Sequence, residues 1–159
     1  MRFDIIGSRE TGAVAILSLS EGEDPKKAAE EIMRRHKLVK SVLLKAGPRE
    51  TIYRIRPLIL IAGSEDTEVI HKEHGYRLKL DPRKVYFSPR EGTERALVAS
   101  QVRPGERVLV MFAGVGPFAI AIAKAQPLVE EVVGVEISEV AYRYFVENVK
   151  LNKLEGKVK

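Results

Sequence analysis

Six residues, Gly114-Val115-Gly116-Pro117-Phe118-Ala119, constrain the fold of this chain more than any others. They match the pattern G-x-G-x-x-G/A. The apolar run "RVLVMFA" at 107–113 precedes them, and "GPFAIAIAKAQ", with the texture of a helix, carries on from them. A strand, a glycine turn and a helix in that order is the context in which the pattern carries meaning. The first glycine permits a tight turn, and the second removes a Cβ so that a ligand can reach the backbone. The helix then offers free N–H groups, and Pro117 fits its first position, where a missing N–H costs little. Glu136 follows Gly114 by 22 residues and ends the next apolar stretch, "VEEVVGVEIS". An acid there accepts hydrogen bonds from ribose hydroxyls. Gly114, Gly116 and Glu136 are therefore candidate cofactor contacts. At this level nicotinamide and S-adenosylmethionine cofactors are equally admissible.

The rest of the chain extends this pattern. "TERALVASQV" reads as a helix with Thr93 at its N-cap. "SEVAYRYFVENVKLNK" reads as another, with Ala141, Tyr144, Phe145 and Val149 recurring at helical spacing. Residues 83–159 thus alternate strand and helix, which implies parallel strands and a Rossmann-like α/β unit. Residues 1–82 have a different texture. "FDIIG" and "AVAILSLS" are short strands. "SEGEDPKKAAEEIMRRH" is a helix capped by Asp24 with Pro25 first and an apolar face of Ala28, Ala29, Ile32 and Met33. "KSVLLKA" and "TIYRIRPLILIAG" are further strands, and "EVIHKEHGYRLKLDP" starts extended and then alternates Tyr76, Leu78, Leu80. This part reads as a small α+β module with a mostly antiparallel sheet.

Charge and residue usage narrow the function classes. The net charge of +5 suits a polyanionic partner such as nucleic acid. Absence of cysteine excludes disulfides and thiolate metal sites. His71 and His74 are spaced for a shared metal ion, but with three histidines in all and no cysteine an ordinary surface pair is the better reading, and no metal is expected. No apolar run reaches the roughly 18 residues of a membrane span, and a cytoplasmic location is expected. Lys26, Lys27, Arg34, Arg35, His36 and Lys37 are either phosphate contacts or the wet face of a helix. Arg54 and Arg56 share one face of their strand.

"KVYFSPREGTER" followed by "MFAGVGPFAIAIAK" resembles the tRNA (guanine-37-N1)-methyltransferases of archaeal and eukaryotic type. "FDIIG", "IHKEHGYRLKLD" and "AYRYFVENVKLNK" agree in the same order, so the resemblance covers nearly the whole chain. The aminocarboxypropyl transferases of wybutosine synthesis share the architecture but usually depart from these forms. The resemblance implies an S-adenosylmethionine cofactor, a tRNA partner, and a class I methyltransferase fold preceded by a tRNA-docking module. It implies that Glu94 of "TER" takes the N1 proton of the target guanine and that Arg54 balances charge on that base. Tyr86 and Arg90 of "YFSPR" would position substrate and cofactor, Arg90 on the cofactor's side, with Arg95 beside the substrate. Ala113, Gly114 and Gly116 would approach the cofactor, and Glu136 would hold its ribose. Without the resemblance, Glu94 reads as a solvated acid at a helix start, where acids are favoured anyway.

The sequence departs from the family in three places. Val110 stands where an aspartate is usual before "MFAG". Glu91-Gly92 stands where an apolar-small pair is usual. The later "NPP" segment and its flanking strands do not appear. The expectation is that this chain is a fragment, inactive alone, with strand faces left open to a homodimer or to a C-terminal partner. The alternatives are a noncatalytic tRNA-binding module, an aminocarboxypropyl transferase and a nicotinamide-binding fragment.

Overall fold

The computed structural model describes residues 1–48, 53 and 55–159. A four-stranded sheet of order β1-β2-β3-β4 opens the chain. β1 (Arg2–Ser8) and β2 (Gly12–Ser18) form an antiparallel hairpin. Helix α1 (Pro25–Arg35) crosses from β2 to β3 (Val39–Lys45), which makes that pair parallel. β4 (Leu58–Gly63) returns antiparallel to β3. The expected strand over 51–63 thus begins at Leu58; residues 49–52 and 54 lie outside the described residues. The helix start follows the sequence signal: Asp24 accepts from the N–H groups of Lys26 and Lys27, and Pro25 is the first helical residue.

Period-2 patterning divides the sheet between two cores. Ala13, Ala15, Leu17 and Val42 face α1, with Ala29 and Ile32 against them. Ile6, Val14, Ile16 and Leu43 face the other way and join one continuous core with the second half of the chain. A separate hairpin lies at that junction. β5 (Val69–Glu73) and β6 (Tyr76–Leu80) pair through the two-residue turn His74-Gly75, both at positive φ.

The outer edge of β6 is completed by side chains rather than by a strand. Helix α4 (Glu139–Leu151) presents Asn148, and Asn152 follows at its end. Asn148 accepts from Lys79 N at 2.6 Å and donates to Lys79 O at 3.0 Å. Asn152 accepts from Arg77 N at 3.0 Å and donates to Arg77 O at 2.7 Å. Two amides four apart on a helix match two residues two apart on a strand. Asn152→Ala is expected to destabilise the fold by about 2 kcal/mol, because it leaves the half-buried N–H and C=O of Arg77 unpaired. Urea denaturation measures this; a loss below about 0.5 kcal/mol would mean water replaces the amide.

The second half holds α2 (Gly92–Ser100), β7 (Arg107–Met111), α3 (Pro117–Ala125), β8 (Glu131–Val135) and α4, with β7 and β8 parallel as expected. Helix α2 starts earlier than the sequence suggests. A 3₁₀ turn over Pro89–Glu91 leads into it, Glu91 rather than Thr93 occupies the N-cap, and no side-chain cap bond forms. Val108, Val110 and Val132 join the core. On the opposite face Leu109, Met111 and Val135 are 60%, 66% and 55% exposed. Among the described residues β7 pairs only with β8, while β8 also bonds the chain end at Lys157 and Lys159.

Candidate cofactor and substrate cleft

The glycine turn is shaped from behind by one aromatic ring. Phe145 of α4 is buried against Gly116 and Gly134. A Cβ on Gly116 would lie 2.3 Å from Phe145 Cδ2, and one on Gly134 would lie 2.3 Å from Cε1. Gly116 also has φ of 93°. Beside the expected close approach of a ligand, Gly116 thus has a packing reason to be glycine, since Phe145 leaves no room for a Cβ. Gly114 differs. Its φ is 58° and, among the described residues, a Cβ there would meet nothing within 4 Å. It faces a cleft of about 500 Å³ whose wall also holds Ala113, Pro117, Phe118 and Ser138. Pro117 begins α3, as its position after the turn predicts.

Glu136 follows β8 directly and ties the turn to it. Its Oε2 accepts from Gly114 N at 2.7 Å and its Oε1 from Ser138 N at 2.8 Å. Each oxygen keeps lone pairs for further donors, and the side chain lines the cleft. Phe112, just before the turn, is a residue that sequence reasoning passed over. It has φ of 56°, uncommon for a bulky side chain, and is 86% exposed at the cleft. Its place at a strand end before a glycine turn was the available signal.

Val85, Tyr86, Phe87, Ser88 and Glu91 supply a second part of the cleft wall. Tyr86 lines the cleft, and its hydroxyl donates to Glu91 at 2.7 Å. Glu94 does not line the cleft; it is exposed in the first turn of α2, three residues beyond Glu91, which does line it. Arg54 lies outside the described residues.

Two arginines are engaged elsewhere than expected. Arg90 was read as a cofactor contact; its Nε instead donates to Asp4 Oδ1 at 2.6 Å, which ties the wall to β1. Arg95, expected beside the substrate, does line the cleft, but only 1% of its side chain is exposed. It donates to Glu73 Oε2 at 2.8 Å and Oε1 at 2.7 Å, and to Ser88 O at 3.0 Å, with its guanidinium over Phe87. A guanidinium fork on a carboxylate is the strongest ion-pair geometry available, so these donors are committed. Burial pushes the Glu73 carboxyl up, but hydrogen bonds from His71, Arg95 and Tyr76 outweigh it and hold it at about 2. Burial and the bond to Glu73 push the Tyr76 hydroxyl well above its ordinary value. His71 accepts from Gly7 N at 3.2 Å on its other nitrogen. His74 Nε2 lies 3.1 Å from Gly92 O. This buried cluster joins β1, the β5–β6 hairpin and α2, and through Ser88 it holds the cleft wall.

Comparison with known proteins gives a consistent picture. Residues 69–159 match the family described as the TRM5/TYW2 methyltransferase domain. The chain is 48% identical over 160 residues to the tRNA (guanine(37)-N(1))-methyltransferase Trm5b of Pyrococcus abyssi, covering 98% of this chain and 46% of that one. It superposes on the solved complex of aTrm5 and tRNALeu with a TM-score of 0.86 at 37% identity, covering 100% of this chain and 46% of that one. For Pyrococcus horikoshii TYW2 in complex with MeSAdo the TM-score is 0.77 at 32% identity, with 99% and 53% covered. The chain thus spans about half the length of the relatives it matches.

Proposed function

The chain belongs to the TRM5/TYW2 methyltransferase domain family, and from that premise we propose that it binds S-adenosylmethionine in the β7–α3 cleft and serves methyl transfer to N1 of guanine 37 in tRNA. The carrying observation is the open space in front of Gly114, with Glu136 at one end and exposed Phe112 at its rim. The cleft volume falls in the range of small-molecule sites, roughly 300–1,000 Å³. An adenosyl group fits this donor set: an aromatic face for the ring system and a carboxylate with spare lone pairs for the ribose hydroxyls.

S-adenosylmethionine supplies a sulfonium methyl whose C–S bond breaks, leaving its electron pair on sulfur, as the bond to guanine N1 forms. The protein's own task is the N1 proton, since neutral guanine is a poor nucleophile until that proton leaves. A positioned carboxylate takes it as general base. The family resemblance assigns this to Glu94, with Arg54 offsetting charge on the base. Tyr86 lines the same cleft as the glycine turn and would hold the purine there. The methyl-transfer reading is preferred to aminocarboxypropyl transfer because, of two Methanocaldococcus jannaschii enzymes, the chain superposes better on the tRNA m1G37 methyltransferase, with a TM-score of 0.80, than on TYW2, with 0.67.

Three measurements test this reading. Calorimetry should show S-adenosylmethionine binding to the chain, and tRNA binding should weaken steeply with salt. In single-turnover assays Glu94→Gln should slow methylation by about a hundredfold or more with tRNA affinity unchanged. Salt-sensitive tRNA binding without cofactor binding would instead mark a noncatalytic RNA-binding module. Unchanged methyl transfer in the variant would remove Glu94 from the role of base.

A further inference from the structure

Glu91 is a carboxylate in the cleft that none of these roles uses. It occupies the N-cap of α2 but makes no side-chain cap bond, so its carboxylate is not consumed by the helix start. It lines the same cleft as Gly114, Phe112 and Glu136. Tyr86 donates to Oε1 at 2.7 Å and so fixes the side chain's direction. Oε2 has only Arg95 Nη1, 3.7 Å away, as a charged neighbour among the described residues. The side chain is 42% exposed, which leaves it accessible to a ligand. The sequence sets an acid here where the resemblance expects an apolar residue.

Purine edges differ in what they offer a fixed acceptor. Guanine carries an exocyclic amine beside N1, and that amine donates two hydrogens. Hypoxanthine has the same ring and N1–H but no amine. Adenine presents an unprotonated N1. A carboxylate held at the rim can accept from the guanine amine without occupying N1, which the methyl group must reach. We propose that Glu91 is a specificity-determining residue that accepts a hydrogen bond from the exocyclic amine of the target guanine, held in place by Tyr86. This rests on the reading of the cleft as a tRNA guanine site. A hydrogen bond to a charged acceptor corresponds to about a ten- to hundredfold preference for guanine.

The test uses anticodon stem-loop RNAs that carry guanosine or inosine at the target position. Their affinities for the chain are measured with S-adenosylhomocysteine present. Wild type should prefer guanosine at least tenfold. Glu91→Leu should bind both RNAs alike, and Glu91→Gln, whose amide oxygen still accepts a hydrogen bond, should keep part of the preference. Melting curves confirm that each variant is folded. Equal binding of both RNAs by wild type, or a preference that survives in Glu91→Leu, overturns the inference and leaves the cleft reading standing. Failure of wild type to bind either RNA overturns both.

Discussion

Replacing Arg95 by methionine is expected to cost about 3–5 kcal/mol of stability, the loss that follows removal of one partner from a buried ion pair. The arginine side chain is 1% exposed and that of its partner Glu73 is 10% exposed. The variant leaves Glu73 buried and charged, with only His71 and Tyr76 as partners among the described residues, and releases the Ser88 carbonyl. The double variant Glu73→Gln/Arg95→Met should cost less than Arg95→Met alone, because it removes the stranded charge. The pH dependence has a definite sign. Glu73 is held at about 2 in the folded chain against 4.5 unperturbed. Its contribution is therefore complete above about pH 5 and is lost as the pH falls through 4 toward 2. Denaturant titrations at pH 6, 4 and 2.5 should show this fall in wild type and a shallower one in Glu73→Gln. A cost below 1 kcal/mol for Arg95→Met would show that the cluster does not hold the junction.

Local rules made the elements legible, and distant partners hid part of the site. Asp24-Pro25, the alternation of Tyr76, Leu78 and Leu80, and the strand–glycine–helix order each act within a few residues, and each element lies where it was expected. Thr93 failed as an N-cap because Pro89 starts a 3₁₀ turn that carries the chain into the helix ahead of it. Arg90 and Arg95 are charged residues of a motif, and motif reasoning sends them to the ligand. Their actual partners, Asp4 and Glu73, lie 86 and 22 positions away in sequence. Nothing in the local pattern marks Glu73 as the buried acid of a four-residue cluster.

The same distinction applies to the asparagines of α4. Asn148 and Asn152 share a helix face, which a periodicity reading recognises, but amides on a core-facing stripe look like errors in the pattern. They make sense only once the open edge of β6 lies beside them. Glu91 is the converse case. As a departure from the family it looks like a disturbance beside Glu94, yet the structure sets it in the cleft with its own hydrogen-bond donor.

The two turn glycines should separate folding from binding. Gly116→Ala is expected to cost about 3 kcal/mol, from an unfavourable left-handed backbone and an overpacked contact. Its φ is 93°, and the new methyl would meet Phe145 Cδ2 at 2.3 Å. Phe145→Ala removes the obstacle, so in that background Gly116→Ala should cost only the backbone share, about 1–2 kcal/mol. Gly114→Ala should cost about 1 kcal/mol at most, because φ of 58° lies in the ordinary left-handed region and no atom of the described residues stands within 4 Å. Its methyl instead occupies open space at the cleft wall, where the proposed cofactor would approach the backbone. S-adenosylmethionine affinity measured by calorimetry should therefore fall at least tenfold in Gly114→Ala while urea stability stays near wild type. Equal cofactor affinity in Gly114→Ala and wild type would move the ligand away from this turn, and an unstable Gly114→Ala would mean that something besides Phe145 packs against the loop.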